Sequence, residues 1–112
     1  VTPSYKLPCN YVIHVAVPHS SSGEEKLKEC FRSCLSQFSG QYKESIAFPM
    51  IGTGVQGYNP ERAANIALTI VREYLEKEAL DPNSKVKKVV FCAYSVKDRD
   101  LYQALIPFHF TN

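Results

Sequence analysis

The sequence predicts an α/β fold built as one domain. Two observations carry that class. Short apolar runs at 11–17, 45–51 and 86–94 alternate with stripes of helical period at 27–38 and 60–75. Strand, helix, strand, helix, strand in that order is the pattern of a sheet joined by helical crossovers. The runs are also nearly unbroken in their apolar character, which suits strands buried on both faces, as in parallel sheets. At 112 residues, the length is that of a single domain with a real core.

Each element has a local reason. The first run, Tyr11-Val12-Ile13-His14-Val15-Ala16-Val17, is β-branched and stops at Pro18. The second, from Ser45 to Ile51, contains Pro49, which cannot donate to a ladder, so the strand loosens there. The third runs from Val86 to Tyr94. Between the first two, Leu27, Cys30, Phe31, Cys34, Leu35 and Phe38 form one helical stripe. Ser20, Ser21 and Ser22 are its cap candidates, Glu24 and Glu25 suit its positive end, and Gly40 is placed to end it. The next helix starts with Asn59 as cap and Pro60 as first residue. Its apolar face, from Ala63 to Leu75, is too wide for one stripe, which predicts deep burial. Asp81-Pro82-Asn83-Ser84 breaks the chain before the third strand. A short last helix is expected at about 98–105, with Asp98 or Asp100 as its cap.

Composition excludes several function classes. The chain is 45% hydrophobic and 21% charged, unlike a disordered segment. A net charge of +2 is too small for an electrostatic footprint on nucleic acid, and the Lys85, Lys87, Lys88 cluster reads as a solvated strand end. No apolar run is long enough to span a bilayer, and the N-terminus carries no signal-peptide pattern. Cys9, Cys30, Cys34 and Cys92 read as reduced and mostly buried, Cys92 inside a strand. The three histidines and these cysteines make no metal-ligand spacing. His14 reads as a packed strand histidine and His19 as a solvated turn residue. No Ser-His-Asp or Cys-His arrangement follows from spacing.

The most informative segment is Gly52-Thr53-Gly54-Val55-Gln56-Gly57-Tyr58-Asn59-Pro60, between a strand and a helix. Three glycines in six residues let the backbone take positive φ and approach a ligand closely. The loop amides, with a helix N-terminus behind them, suit a phosphate; the competing reading is a tight turn and nothing more. As G-x-G-x-x-G the loop lacks the acidic strand-end residue expected about 20 positions on. As a P-loop it has Tyr58 and Asn59 where Lys and Ser/Thr are needed, so an NTPase is not expected.

With Ser45-Ile46-Ala47-Phe48-Pro49 before it and Ala63-Ala64 after it, this loop resembles the second half of a macro domain. The segments Tyr11-Val12-Ile13-His14, Cys34-Leu35, Val89-Val90-Phe91 and Tyr102 follow in the matching order. The flavour is that of macro modules in multidomain ADP-ribosyltransferases and in histone-variant-like proteins. The resemblance implies a three-layer α/β/α fold over residues 1–112, with three main strands and two to three helices. It implies a partial domain, lacking the front strands and the Asn-bearing and acidic loop. It further implies that Gly52, Thr53, Gly54, Val55, Gln56 and Gly57 hold the diphosphate of ADP-ribose, with Val55 as an apolar lid. Tyr58 would support the loop, although core packing is the preferred reading of that side chain. Tyr94 either meets the adenine or is an ordinary strand-end aromatic; the two readings stand equal.

The implied function is weak binding of ADP-ribose, or of a mono-ADP-ribosylated protein, in the cytoplasm or nucleus. No cofactor beyond that ligand is implied. The alternatives are a hydrolase whose catalytic groups lie in a longer parent, and a ligand-free interaction module. In the family a front-half strand separates the strands at 11–17 and 45–51. Three outcomes are therefore expected: those strands close up, a partner chain fills the gap, or the chain is marginal alone.

Overall fold

The computed structural model describes residues 2–3, 11–39, 43–49, 51, 56–92 and 95–110. Among them are four short strands and three helices. The strands are β1 (Thr2–Pro3), β2 (Tyr11–Val12), β3 (Ser45–Phe48) and β4 (Lys88–Phe91). The helices are α1 (Glu24–Ser39), α2 (Pro60–Ala79) and α3 (Val96–His109). A 3-10 turn at Ser20–Ser22 leads into α1.

The helices form where the apolar stripes place them. All six stripe residues of α1 are buried. α2 buries Ala63, Ala64, Ile66, Ala67, Leu68, Ile70 and Val71, the wide face its sequence carries. Asn59 caps α2: its Oδ1 accepts from the Glu61 and Arg62 amides at 3.0 and 3.2 Å. Asp81 Oδ1 accepts from the Asn83 amide in the turn that follows α2. α3 is longer than expected. Ser95, rather than Asp98 or Asp100, is its cap, with Oγ accepting from the Asp98 amide at 3.2 Å. Pro107 sits in its last turn, where its missing N–H costs one helical bond, the one to the Gln103 carbonyl four residues earlier.

β3 and β4 are parallel, with Ser45 opposite Lys88 and Phe48 opposite Phe91, and α2 makes the crossover. The ladder continues one bond further, from the Cys92 amide to the Phe48 carbonyl at 2.8 Å. Ile46, Phe48, Val89 and Phe91 pack onto the main core, whose centre is the α1–α2 interface. Phe91 also joins the smaller cluster of Ala64, Leu68 and Tyr102, which seats α3. A run of rings ties these layers together. Phe31 meets Phe48 at 5.6 Å, Phe48 meets Phe91 at 5.9 Å, and Phe91 meets Tyr102 at 5.0 Å between centroids.

Three expectations change. The strand expected at 11–17 is only Tyr11–Val12, and it pairs antiparallel with Thr2–Pro3 rather than with β3. Apolar β-branched sequence favours a strand but cannot make one without a neighbour to accept its hydrogen bonds. His14, Val15 and Ala16 are exposed instead, so His14 is not a packed strand histidine. Burial on both faces does not hold for the β3–β4 pair either. Ser45 and Ala47 are exposed while Ile46 and Phe48 turn inward. Cys92 lies just past β4 and is exposed, whereas Cys30 and Cys34 are buried as free thiols; Cys9 lies outside the described residues. Among the described residues β2 and β3 do not close up, and each edge of the β3–β4 pair is open.

Candidate functional site

The loop between β3 and α2 is the site candidate, and its second half is described. Gly52, Thr53, Gly54 and Val55 lie outside the described residues, as does Tyr94. Gln56 is half-buried, Gly57 is exposed and Tyr58 is buried.

Gly57 has φ of +79°, a conformation side-chain-bearing residues rarely adopt. A Cβ added there would stand 2.9 Å from Ser20 Oγ and 3.9 Å from His19 Nε2. Glycine is thus required twice, by the backbone and by the close wall of the 3-10 turn. Gly23 ends that turn, also at positive φ.

Tyr58 fastens the loop to that wall. Its hydroxyl lies 2.9 Å from the Gly23 carbonyl and 3.2 Å from the His19 carbonyl, and donates its single proton between them. Its ring sits in the main core with Ile51 and Ala63. Replacing Tyr58 with Phe keeps the ring and takes the donor from the Gly23 carbonyl, while the His19 carbonyl keeps the Ser22 amide at 2.9 Å. We expect a loss of about 1 kcal/mol, seen as a thermal midpoint lower by roughly 4 °C. An unchanged midpoint would mean that the hydroxyl does not fasten the turn.

The helix behind the loop offers less than its sequence promises. Pro60 has no N–H. The Glu61 and Arg62 amides are taken by Asn59 Oδ1, and the Ala63 amide by the Asn59 carbonyl at 2.9 Å. The first turn of α2 therefore lends its dipole but no free donor. Any backbone donors for an anion must come from the loop itself. Arg62 is paired with Glu24 at the start of α1. That guanidinium holds the Glu24 carboxyl below its usual range. Both groups are exposed.

His19 was not expected at the site. Its Nδ1 accepts from the Ser21 amide at 3.1 Å and stands 3.0 Å from Ser21 Oγ. This caps the 3-10 turn and brings the ring beside Gly57, 38 positions away in sequence. No spacing rule joins residues so far apart; the only local signal is the Ser-rich turn that would hold a ring still.

A second concavity, about 350 Å³, lies between β4 and α3. Lys88, Val89, Phe91, Arg99, Tyr102 and Ile106 line it, and it shares no lining residue with the loop. Burial beside Asp98 pushes the Tyr102 hydroxyl up to about 12, desolvation being the larger cause. Among the described residues no three His, Cys, Asp or Glu side chains gather as a metal site. No described helix is long and apolar enough to cross a membrane.

Known proteins resemble this chain in sequence and in fold. The chain is 40% identical over 107 residues to a macro domain-containing protein of Chlorobaculum tepidum, covering 92% of this chain and 59% of that protein. It is 36% identical over 115 residues to the ADP-ribose glycohydrolase MACROD1 of Bos taurus, covering 98% of this chain and 34% of that one. Among solved structures it superposes on the Oceanobacillus iheyensis macrodomain with ADP at a TM-score of 0.83 and 31% identity, over 96% of this chain and 55% of that one. It also superposes on the Trypanosoma brucei macrodomain in complex with ADP-ribose at 0.80 and 31%, over 94% and 43%. The chain thus spans between about a third and three fifths of these relatives. The macro domain family model matches residues 1–67, which include the whole glycine loop. With its α/β core and that loop in place, the chain belongs to the macro domain family.

Proposed function

We propose that this chain binds ADP-ribose, free or attached to a protein, with its diphosphate on the backbone amides of residues 52–57. The superposition on macrodomains holding ADP and ADP-ribose carries the reading. The described half of the loop supports it: Gly57 keeps the backbone bare at positive φ, and Tyr58 and Asn59 hold the loop's end in place. Tyr94 is the candidate for contact with adenine. The affinity expected is low, because the loop supplies the phosphate contacts without help from the α2 amides.

The reading is binding rather than turnover. Glu24, the carboxylate beside the loop wall, is engaged by Arg62 and is not free to act as a base. Hydrolysis belongs to the proposal only for a longer protein, on the likeness to MACROD1. A partner chain that completes the open β3–β4 pair remains part of the proposal, as does a cytoplasmic or nuclear setting.

Calorimetry with ADP-ribose tests it. The unaltered chain should release heat at up to millimolar ligand. Gly54→Glu should abolish that heat, since a side chain and a negative charge would enter the phosphate cradle. Equal binding by both proteins would remove the loop from the account.

A further inference from the structure

We infer that His19 is a ligand-contacting residue, donating from Nε2 to a phosphate oxygen at the Gly57 end of the loop. The inference rests on the ADP-ribose reading above. A backbone N–H can only donate, so the Ser21 amide at 3.1 Å makes Nδ1 the acceptor. The neutral ring then carries its proton on Nε2. That nitrogen is 3.9 Å from the point where a Gly57 Cβ would stand, and the ring is exposed. Beyond Gly57 and its two chain neighbours, the three described heavy atoms nearest that point are Ser20 Oγ, Ser20 Cβ and His19 Nε2. A held N–H donor therefore faces the bare side of the loop's last glycine.

The surroundings leave room for that role. The α2 first turn has no free amide, and Arg62 is paired with Glu24. A diphosphate reaching Gly57 would meet His19 and Ser20 before any unpaired cation of α2's first turn. His19 also sits in extended backbone, φ −74° and ψ 152°, as a cap residue should. Its ring is fixed by the turn rather than free to swing, so little entropy opposes the contact.

Two substitutions separate the ligand contact from the structural one. His19→Asn keeps a capping oxygen for the Ser21 amide and removes the Nε2 donor. His19→Ala removes both. Calorimetry with ADP-ribose and with ADP should show binding weakened about tenfold or more in His19→Asn, the effect of one hydrogen bond to a charged group. Its thermal midpoint should match the unaltered chain, while that of His19→Ala falls. Loss with both ligands supports the phosphate contact. Loss with ADP-ribose alone would move the contact to the ribose and overturn the assignment. Unchanged affinity in His19→Asn, with the unaltered chain binding normally, would overturn the inference and leave the ADP-ribose reading standing. Absence of binding by the unaltered chain would overturn the reading beneath it.

Discussion

Gly57→Val should cost about 2–4 kcal/mol of stability and most of the ADP-ribose affinity. A branched side chain at φ +79° is strained by at least ~1–2 kcal/mol. Its Cβ would also stand 2.9 Å from Ser20 Oγ, closer than real Cβ contacts come. Ser20 can turn away, so the contact is the more easily relieved part. Gly57→Ala, alone and with Ser20→Ala, separates the two. The double variant should relieve the clash and retain the backbone strain, a difference read from a double-mutant cycle. Relaxing the strain means rotating the peptide at residue 57, which moves the end of the loop away from His19. Stability and binding should therefore fall together. A stable, tightly binding Gly57→Val would show that the positive φ has no part in the site.

Phe31→Ala should be the most damaging core substitution, at about 3–5 kcal/mol. Phe31 is 1% exposed on α1 and begins the run of rings through Phe48 and Phe91 to Tyr102. That run links α1, β3, β4 and α3. Among the described residues the β3–β4 pair has open edges, so it depends on the helices for much of its burial. Removing the first ring leaves a cavity under Phe48 that a two-stranded sheet is poorly able to close. A loss of this size approaches the whole stability of a small domain. Urea denaturation should show a midpoint far below that of the unaltered chain, and Phe31→Leu should recover most of it. A small shift for Phe31→Ala would mean that the ring run does not bind the layers together.

What the sequence reveals of this fold depends on whether a residue's partners are near in sequence. α1 and α2 are legible because a stripe such as Leu27 to Phe38 needs only its own period, and Asn59-Pro60 is a complete local start signal. The β3–β4 pairing is legible in outline, since both runs flank a helix of crossover length. The strand at 11–17 is not, because residues beyond Val12 have no described strand to pair with. The start of α3 is missed by two residues, since Ser95 competes with Asp98 as the cap and only geometry decides. At the site, the glycines announce the loop, and the resemblance supplies its ligand. The wall opposite, with His19 and Ser20 against Gly57, joins positions almost 40 residues apart and leaves no trace in spacing. Nor does the sequence show that the α2 amides are already engaged; Asn59 reads as a cap, but the count of remaining donors follows only from its bonds.

The central claim is that the glycine loop holds a diphosphate. Titration of the isotope-labelled chain with ADP-ribose, followed by amide chemical shifts, tests it most directly. The account predicts saturable shifts for the amides of 52–57 and for His19, with little change along β4 and α3. Shifts confined to Val89, Phe91, Arg99 and Tyr102, or none at millimolar ligand, would contradict it.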